Sequence, residues 1–486
     1  MTITDTYYLH AKHSPNRIAI KTKNELITYE QWFRLVSLTC SWLQAQPAKT
    51  KRIGILLPNG LSFLQVFTGA AHAGWTAVPL DVKWSLSELQ DRIEICKPDI
   101  IIISDQRFES LAQTNHHVLH IDEFHEALHE VVPNFTQPVV SEEEPFYMGF
   151  TSGSTGKPKA FIRSHRSWVK SFDCNIVDFH MKEEEHVLVP GALIHSHFLY
   201  GAISTLFLGG TVHLLESFNP SMTLNILESE PISVLYSVPT MVEAILKEEK
   251  RITRPFKIFS SGAKWEKESK AKLQLLFPSA MLYEFYGASE LSFVSVLTQK
   301  DFSRKSTSVG KPCHNVEIKV VINEEEVAAP NEIGKIFVKS EMIFIGYLTS
   351  PDEMPPQRTE EWMSVGDMGY LDEDGFLYIM GRENSMILYG GINIFPEEVE
   401  SVLHSHSKVE EVAVIGTPDP YWGEIVTAVI KGTSEQRELR RYCKGKLANY
   451  KIPRKWIFVD ELPHTTGGKI ARVEVRKMLA DGVVKK

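Results

Sequence analysis

"YMGFTSGSTGKPKAF", Tyr147 to Phe161, is the stretch from which the rest of the chain can be read. A strand-like run leads into a segment with the composition of a phosphate grip. Gly153 and Gly156 let backbone N–H groups turn toward an anion and approach it closely. Thr151, Ser152, Ser154 and Thr155 supply hydroxyl donors, and Lys157 and Lys159 supply charge. A Walker-type P-loop does not fit. Thr151 stands where its first glycine belongs, and Pro158 follows Lys157, where it has no hydroxyl for magnesium and disfavours a helical start. The GxGxxG dinucleotide fingerprint fails as well, since no Gly-x-Gly precedes Gly153. A plain polar surface turn is the bland alternative, and the density of Gly, Ser, Thr and Lys directly after a strand argues against it.

Bulk properties narrow the class. A chain of 486 residues, 43% apolar and 23% charged, suits several globular domains that bury their own cores without metal or disulfide staples. A net charge of −9 disfavours nonspecific nucleic-acid binding, so no nucleic-acid partner is expected. Cys40, Cys96, Cys174, Cys313 and Cys443 are scattered, with neither zinc-site nor CxxC spacing; reduced thiols and a cytoplasmic location follow as expectations. "MTITDTYYLHAKHSPNR" lacks the charge-then-apolar pattern of a signal peptide. Leu61 to Leu80 carries no charge and is long enough to span a bilayer, but Gln65, His72, Gly74 and Pro79 interrupt it. It reads as a buried helix, a turn at Gly74 and a buried strand, so no integral membrane span is expected.

Short apolar strands alternate with helical stretches, the pattern of an α/β protein. "RIGILLP" (Arg52 to Pro58) and "IIIIS" (Ile100 to Ser104) read as central strands of a parallel sheet. "ISVLYSVPTMVEAILKEEK" reads as a strand to Tyr236 and a helix opened by Pro239, whose missing N–H costs nothing in a first turn. In "GDMGYLDEDGFLYIMGR", turns are expected at Asp374-Gly375 and at Gly381. Beyond it come a helix in "FPEEVESVLHSH", strands in "VEEVAVIG" and "EIVTAVIKG", a helix from Ser434 to about Leu447 and a closing "KWIFVDEL". The expectation is a large N-terminal domain of mixed sheets packed with helices, 1–382, and a small mobile α/β C-terminal domain, 383–486. The acidic runs at 142–144, 183–185 and 324–326 read as solvated turns.

"TSGSTGKPK" resembles the phosphate loop of the adenylate-forming enzymes, which include acyl-CoA synthetases, adenylation domains of peptide synthetases and beetle luciferases. Four further segments resemble that family's signatures in the same order: "YGASE" (286–290), "GDMGYLDEDGFLYIMGR", "GGINIFPEEVE" and "LPHTTGGKIAR". The resemblance covers most of the chain. It implies a two-step reaction in which a carboxylate attacks the α-phosphate of ATP to give an acyl-adenylate, and a thiol, usually that of CoA, then displaces AMP. ATP, Mg2+ and CoA are the implied cofactors, and a small-molecule carboxylic acid and CoA the implied partners. An acyl or peptidyl carrier protein is the alternative acceptor, and a non-catalytic nucleotide-binding relative the alternative class.

The resemblance also assigns roles. The loop at 151–159, Thr151 through Lys157 with Lys159, would hold the departing phosphates, and Glu290 would organise magnesium, which needs only one or two carboxylates. The bland reading of Glu290 is an exposed carboxylate at a helix start. Ser261, Gly262 and Ala263 would run along the adenine, Tyr286 would stack on it, and Gly287 and Ser289 belong to the same motif. Asp367 would accept from the ribose hydroxyls, and Arg382 would reach ribose or phosphate. Lys469 would bridge the carboxylate and the α-phosphate, offsetting their repulsion. His197 or Phe198 would gate an acyl pocket that includes Gly201 and Ala288. Asn384, where Asp or Lys is usual, would be the hinge, and Ser385 stands where an acidic residue is common. Gly390 and Gly391 would leave room for a pantetheine arm. Amino-acid-activating relatives carry an aspartate in the acyl region; 191–209 has none, which points to an uncharged, fatty or other acyl group.

Overall fold

The computed structural model describes residues 1–104, 111, 117–136, 138–152, 158–262, 265, 267–323, 326–350, 355, 360–390, 392–464 and 470–480, with backbone alone at 152, 267 and 480. The chain divides into two compact units. The first is built from 1–151, 158–318 and 338–363, the second from 319–337 and 364–486.

Two sheets organise the first unit. Among the described residues the larger has nine strands, and its centre is a parallel run of Thr211–Leu214, His186–Val189, Val234–Ser237, Phe256–Ser260 and Ala280–Ala288. Val234–Ser237 and Phe256–Ser260 are buried at every position, as strands sandwiched between helices must be. The second sheet runs Gly346–Tyr347, Pro158–Ser164, Pro145–Ser152, Thr76–Pro79, Arg52–Leu56, Ile100–Ile103 and His117–His120. Ile100–Ile103 lies parallel between Arg52–Leu56 and His117–His120, each isoleucine no more than 1% exposed. Burying one such side chain is worth about 1.5–3 kcal/mol, so this strand alone is a substantial part of the core.

The uncharged 61–80 stretch resolves as expected. Leu61–His72 is helical, Gly74 turns the chain at φ +71°, and Thr76–Pro79 enters the sheet. Among the described residues, no helix is long and apolar enough to cross a membrane. Pro239 opens the helix Pro239–Lys247 directly after Val234–Ser237.

The second unit carries strands Asp367–Leu371 and Leu377–Arg382, then the small α/β layer. That layer contains the helix Pro396–His404, the long hairpin Val409–Asp419 with Gly423–Gly432, the helix Gln436–Lys444 and the parallel strand Lys455–Phe458. Asn384, expected from the sequence to be the hinge, falls inside this unit.

Three local expectations are corrected. Gly381 is not a turn; it lies within Leu377–Arg382 at φ +156°, where a Cβ would come 2.5 Å from Glu397 Oε2 and 3.0 Å from the Phe395 ring. Glu185 is not a solvated turn residue. It is 8% exposed and pairs at 2.8 Å with Lys257, whose ammonium rises from a buried strand and needs a counter-charge. The helix expected over 434–447 spans only Gln436–Lys444, with Glu435 at its N-cap.

Candidate active site

Strands Pro145–Ser152 and Pro158–Ser164 are neighbours in one sheet, so the glycine-rich connection is shorter than the 151–159 expected from sequence. Thr151 still belongs to the first strand and Lys159 to the second; the side chain of Ser152 and all of Gly153, Ser154, Thr155, Gly156 and Lys157 lie outside the described residues. Lys159 Nζ sits 5.3 Å from the centre of the Tyr347 ring, a cation held over an aromatic face.

"YGASE" occupies the end of a strand and a tight turn. Tyr286, Gly287 and Ala288 close Ala280–Ala288, and the chain returns antiparallel as Ser292–Thr298. The return is so close that a Cβ on Gly287 would stand 2.0 Å from Ser292 O, a position only glycine can fill. Glu290 therefore sits in a hairpin turn rather than at a helix start, and it is 8% exposed rather than solvated. Its Oε1 accepts a 2.6 Å hydrogen bond from the Tyr347 hydroxyl, and its carbonyl accepts the Phe344 N–H at 2.8 Å.

Arg163 fixes this turn from beneath. It is 1% exposed and donates to the carbonyls of Ser289 at 3.0 Å, Met342 at 2.7 Å and Ser167 at 3.3 Å. Burial lowers its pKa to about 10, with the Glu290 charge opposing, so the guanidinium stays cationic. The Ser289 and Ser196 hydroxyls meet at 3.1 Å, tying the turn to the first residue of the helix Ser196–Leu208.

That helix carries both gate candidates, His197 and Phe198. His197 Nε2 lies 2.9 Å from the Ser237 carbonyl, which can only accept, so Nε2 carries the proton. Burial pushes its pKa down to about 4, leaving a neutral ring whose centre is 5.1 Å from Tyr236 and 5.5 Å from Phe285. Phe198 is 3% exposed and pressed onto Gly191, where a Cβ would be 2.1 Å from its ring. One turn on, the bare Cα of Gly201 receives the Tyr236 ring, which a Cβ would approach to 2.9 Å. Ser261 and Gly262 leave the strand Phe256–Ser260, with Gly262 exposed at φ +97°; Ala263 lies outside the described residues.

In the second unit, Asp367 and Arg382 stand opposite each other on paired antiparallel strands, and Arg382 Nε is 3.2 Å from Asp367 Oδ1. Asp367 is 6% exposed, and the hairpin turns at Gly375, φ +77°. Asn384 is exposed within the 3-10 turn Glu383–Ser385. Gly390, φ +53°, has a packing reason of its own: a Cβ there would come 2.8 Å from the Trp422 ring. Gly391 and Lys469 lie outside the described residues.

Sequence reasoning missed three residues that hold this site together. Arg163 interrupts the apolar run "AFI" of a sheet strand, and a charge in such a place could have been flagged as a buried anchor. In the sequence Tyr236 reads only as the end of a strand. Tyr347 lies 57 residues from Glu290, and no local pattern marks it. Among the described residues, no group of three or more His, Cys, Asp or Glu side chains is placed to hold a metal. A nearly buried carboxylate such as that of Glu290 fits magnesium, which takes one or two carboxylates together with substrate phosphates.

Comparison with known proteins adds to this geometry. The family model "AMP-binding enzyme" matches residues 8–348, and "AMP-binding enzyme C-terminal domain" matches 398–469. An uncharacterized acyl-CoA ligase, YhfT, of Bacillus subtilis is 52% identical over 99% of both chains. A putative long chain fatty acid-CoA ligase, VraA, of Staphylococcus haemolyticus is 29% identical over 98% of both. A feruloyl-CoA synthase of an Amycolatopsis species is 29% identical over 96% of this chain and 97% of its own. Among solved structures, o-succinylbenzoate CoA synthetase from Bacillus subtilis with its acyl-adenylate intermediate superposes with a TM-score of 0.88 at 26% identity, covering 97% of this chain and 98% of that one. The same enzyme with ATP and magnesium ion gives 0.87 at 26% identity, covering 97% and 99%.

Proposed function

Because the chain belongs to the AMP-binding enzyme family, as an AMP-forming acyl-CoA synthetase, we propose that it ligates a compact, uncharged carboxylic acid to CoA. The family works with ATP, magnesium and CoA on small-molecule acids. A carboxylate is a poor acyl donor because oxide is a poor leaving group, and the mixed anhydride with AMP repairs this. The chain must then grip the phosphates, orient the nucleotide and cancel repulsion where carboxylate meets phosphorus. Thr151 to Lys157 take the departing phosphates. Magnesium, when bound, neutralises phosphate charge, and Glu290 is the residue that would hold it. Tyr286 and Ser261 to Ala263 flank the adenine, Asp367 takes the ribose hydroxyls, and Arg382 lies beside Asp367. Lys469 supplies the bridging cation, and Asn384 is the pivot between the two half-reactions.

The observation that carries the substrate class is the Tyr236 ring seated on Gly201 and against His197. Tyr236 is fully buried with its ring against Gly201 of the helix Ser196–Leu208, and on this reading the ring closes the side of the pocket that a long acyl chain would need. Among the described residues the aromatic neighbours of the neutral His197 ring are Phe198, Tyr236 and Phe285, surroundings that suit an apolar acyl body. Incubating the protein with ATP, magnesium and a panel of short-chain, aromatic and long-chain acids, while following pyrophosphate and CoA, tests this. Short or aromatic acids should release pyrophosphate and consume CoA. A clear preference for long-chain acids would remove the compact-pocket reading. Pyrophosphate without CoA consumption, with thioester on an added carrier protein, would point to the carrier as acceptor. No acid-dependent pyrophosphate at all would leave a nucleotide-binding relative.

A further inference from the structure

We propose that Tyr347 is a positioning residue for nucleotide activation, coupling the carboxylate of Glu290 to the phosphate-loop strand through its hydroxyl and its ring. The inference rests on the reading of Glu290 as the magnesium-organising carboxylate. The Tyr347 hydroxyl donates to Glu290 Oε1 at 2.6 Å, a short O–H···O hydrogen bond. The acceptor is nearly buried, so the bond is poorly screened and fixes which way the carboxylate faces. One oxygen is thereby directed at the tyrosine, and the carboxylate plane is set for whatever the other oxygen binds. The face of the same ring lies 5.3 Å from Lys159 Nζ, on the strand that leaves the phosphate loop.

The platform behind Tyr347 is stiff. Gly346 and Tyr347 pair antiparallel with Ile162 and Phe161. Backbone bonds from Ile345 N to Ile162 O at 2.9 Å, from Leu348 N to Ala160 O at 2.8 Å and from Phe344 N to Glu290 O at 2.8 Å tie the segment to both the strand and the turn. Arg163 clamps the same two segments through the Met342 and Ser289 carbonyls. Phe344 meets the Tyr347 ring edge-on at 5.0 Å. A tyrosine so held is not a surface residue that happens to touch a carboxylate. It sets the carboxylate angle, and partners of this kind typically change metal affinity about 10–100-fold when removed.

The test is equilibrium ATP binding by calorimetry across a magnesium titration, with acid and CoA absent so that no turnover occurs. Tyr347→Phe keeps the ring over Lys159 and removes the hydroxyl. It should raise the magnesium concentration for half-maximal enhancement of ATP binding about tenfold, while magnesium-free ATP binding and the thermal midpoint stay near wild type. Tyr347→Leu, which also removes the aromatic face, should weaken magnesium-free ATP binding too. In a Glu290→Gln background, adding Tyr347→Phe should produce no further shift. A Tyr347→Phe magnesium titration matching wild type would overturn the assignment, as would an undiminished shift in the Glu290→Gln background. The wild-type titration separates the two readings: no magnesium enhancement there would count against Glu290 and the functional proposal, whereas a normal wild-type response beside an unaffected variant counts against Tyr347 alone.

Discussion

Single residues in this protein take their meaning from what they face. Glu290 is held by a tyrosine, His197 is held neutral by burial, and Arg163 caps three carbonyls. The roles expected of Glu290 and Lys469 come from the ordered motifs in which they stand. The role of Arg163 was not legible there, because nothing in one dimension says that its neighbours are the carbonyls of Ser289 and Met342. Two predictions belong at this scale. Lys469→Ala should lose adenylation severely, on the order of a hundredfold or more as for loss of one preorganised charge-stabilising group, while thioester formation from supplied acyl-adenylate is largely spared. Measuring both half-reactions checks it, and equal losses would contradict the bridging role. Tyr236→Ala should extend the range of accepted acids toward longer chains, read as a shift in kcat/KM across a chain-length series. Removing a buried aromatic ring should also cost about 3–5 kcal/mol of stability, visible in urea unfolding.

Elements decide which of those residues meet. Asp367 and Arg382, separated in sequence by a whole hairpin, become cross-strand neighbours because Asp374-Gly375 turns the chain between them. That turn was legible from its Asp-Gly pair. The opposite reading of Gly381 failed because a glycine in a strand can answer a close approach, here of Glu397 and Phe395, as readily as a turn. The "YGASE" hairpin shows the same physics. Gly287→Ala should push its Cβ into Ser292 O, opening the turn that carries Glu290. The expected outcome is a loss of about 1–3 kcal/mol in urea unfolding, together with weaker magnesium-dependent ATP binding. Unchanged stability would mean that the strands can separate at this point without cost.

At the scale of the whole molecule, burial creates an acid weakness that no motif announces. Burial lowers the pKa of His72, His197 and His213 to about 4 and that of His165 to about 3. Unfolding would let each return toward its ordinary value near 6.5, so between pH 6.5 and about 4 the unfolded chain binds more protons than the folded one. The stability these neutral rings permit is therefore complete above pH 6.5 and declines as pH falls, by up to about 1.4 kcal/mol per pH unit for each ring within the window. Unfolding free energies from urea titrations at pH 7.5, 6, 5 and 4.5 should fall progressively, and a flat or rising series would show that the rings are not held neutral. Much of the architecture was legible beforehand. Continuous apolar runs such as Ile100–Ile103 can be buried in few ways, and Pro239 and Gly74 mark their element boundaries by backbone chemistry that needs no partner. Composition, periodicity and ordered motifs, all local properties of the chain, determined the α/β class, the order of elements and the family to which the protein belongs. Only the tertiary structure decided that Tyr347 holds Glu290, that Arg163 clamps the turn beneath it and that Tyr236 fills the space beside Gly201. Those contacts join segments tens to more than a hundred residues apart, and their geometry exists only once the sheets have packed.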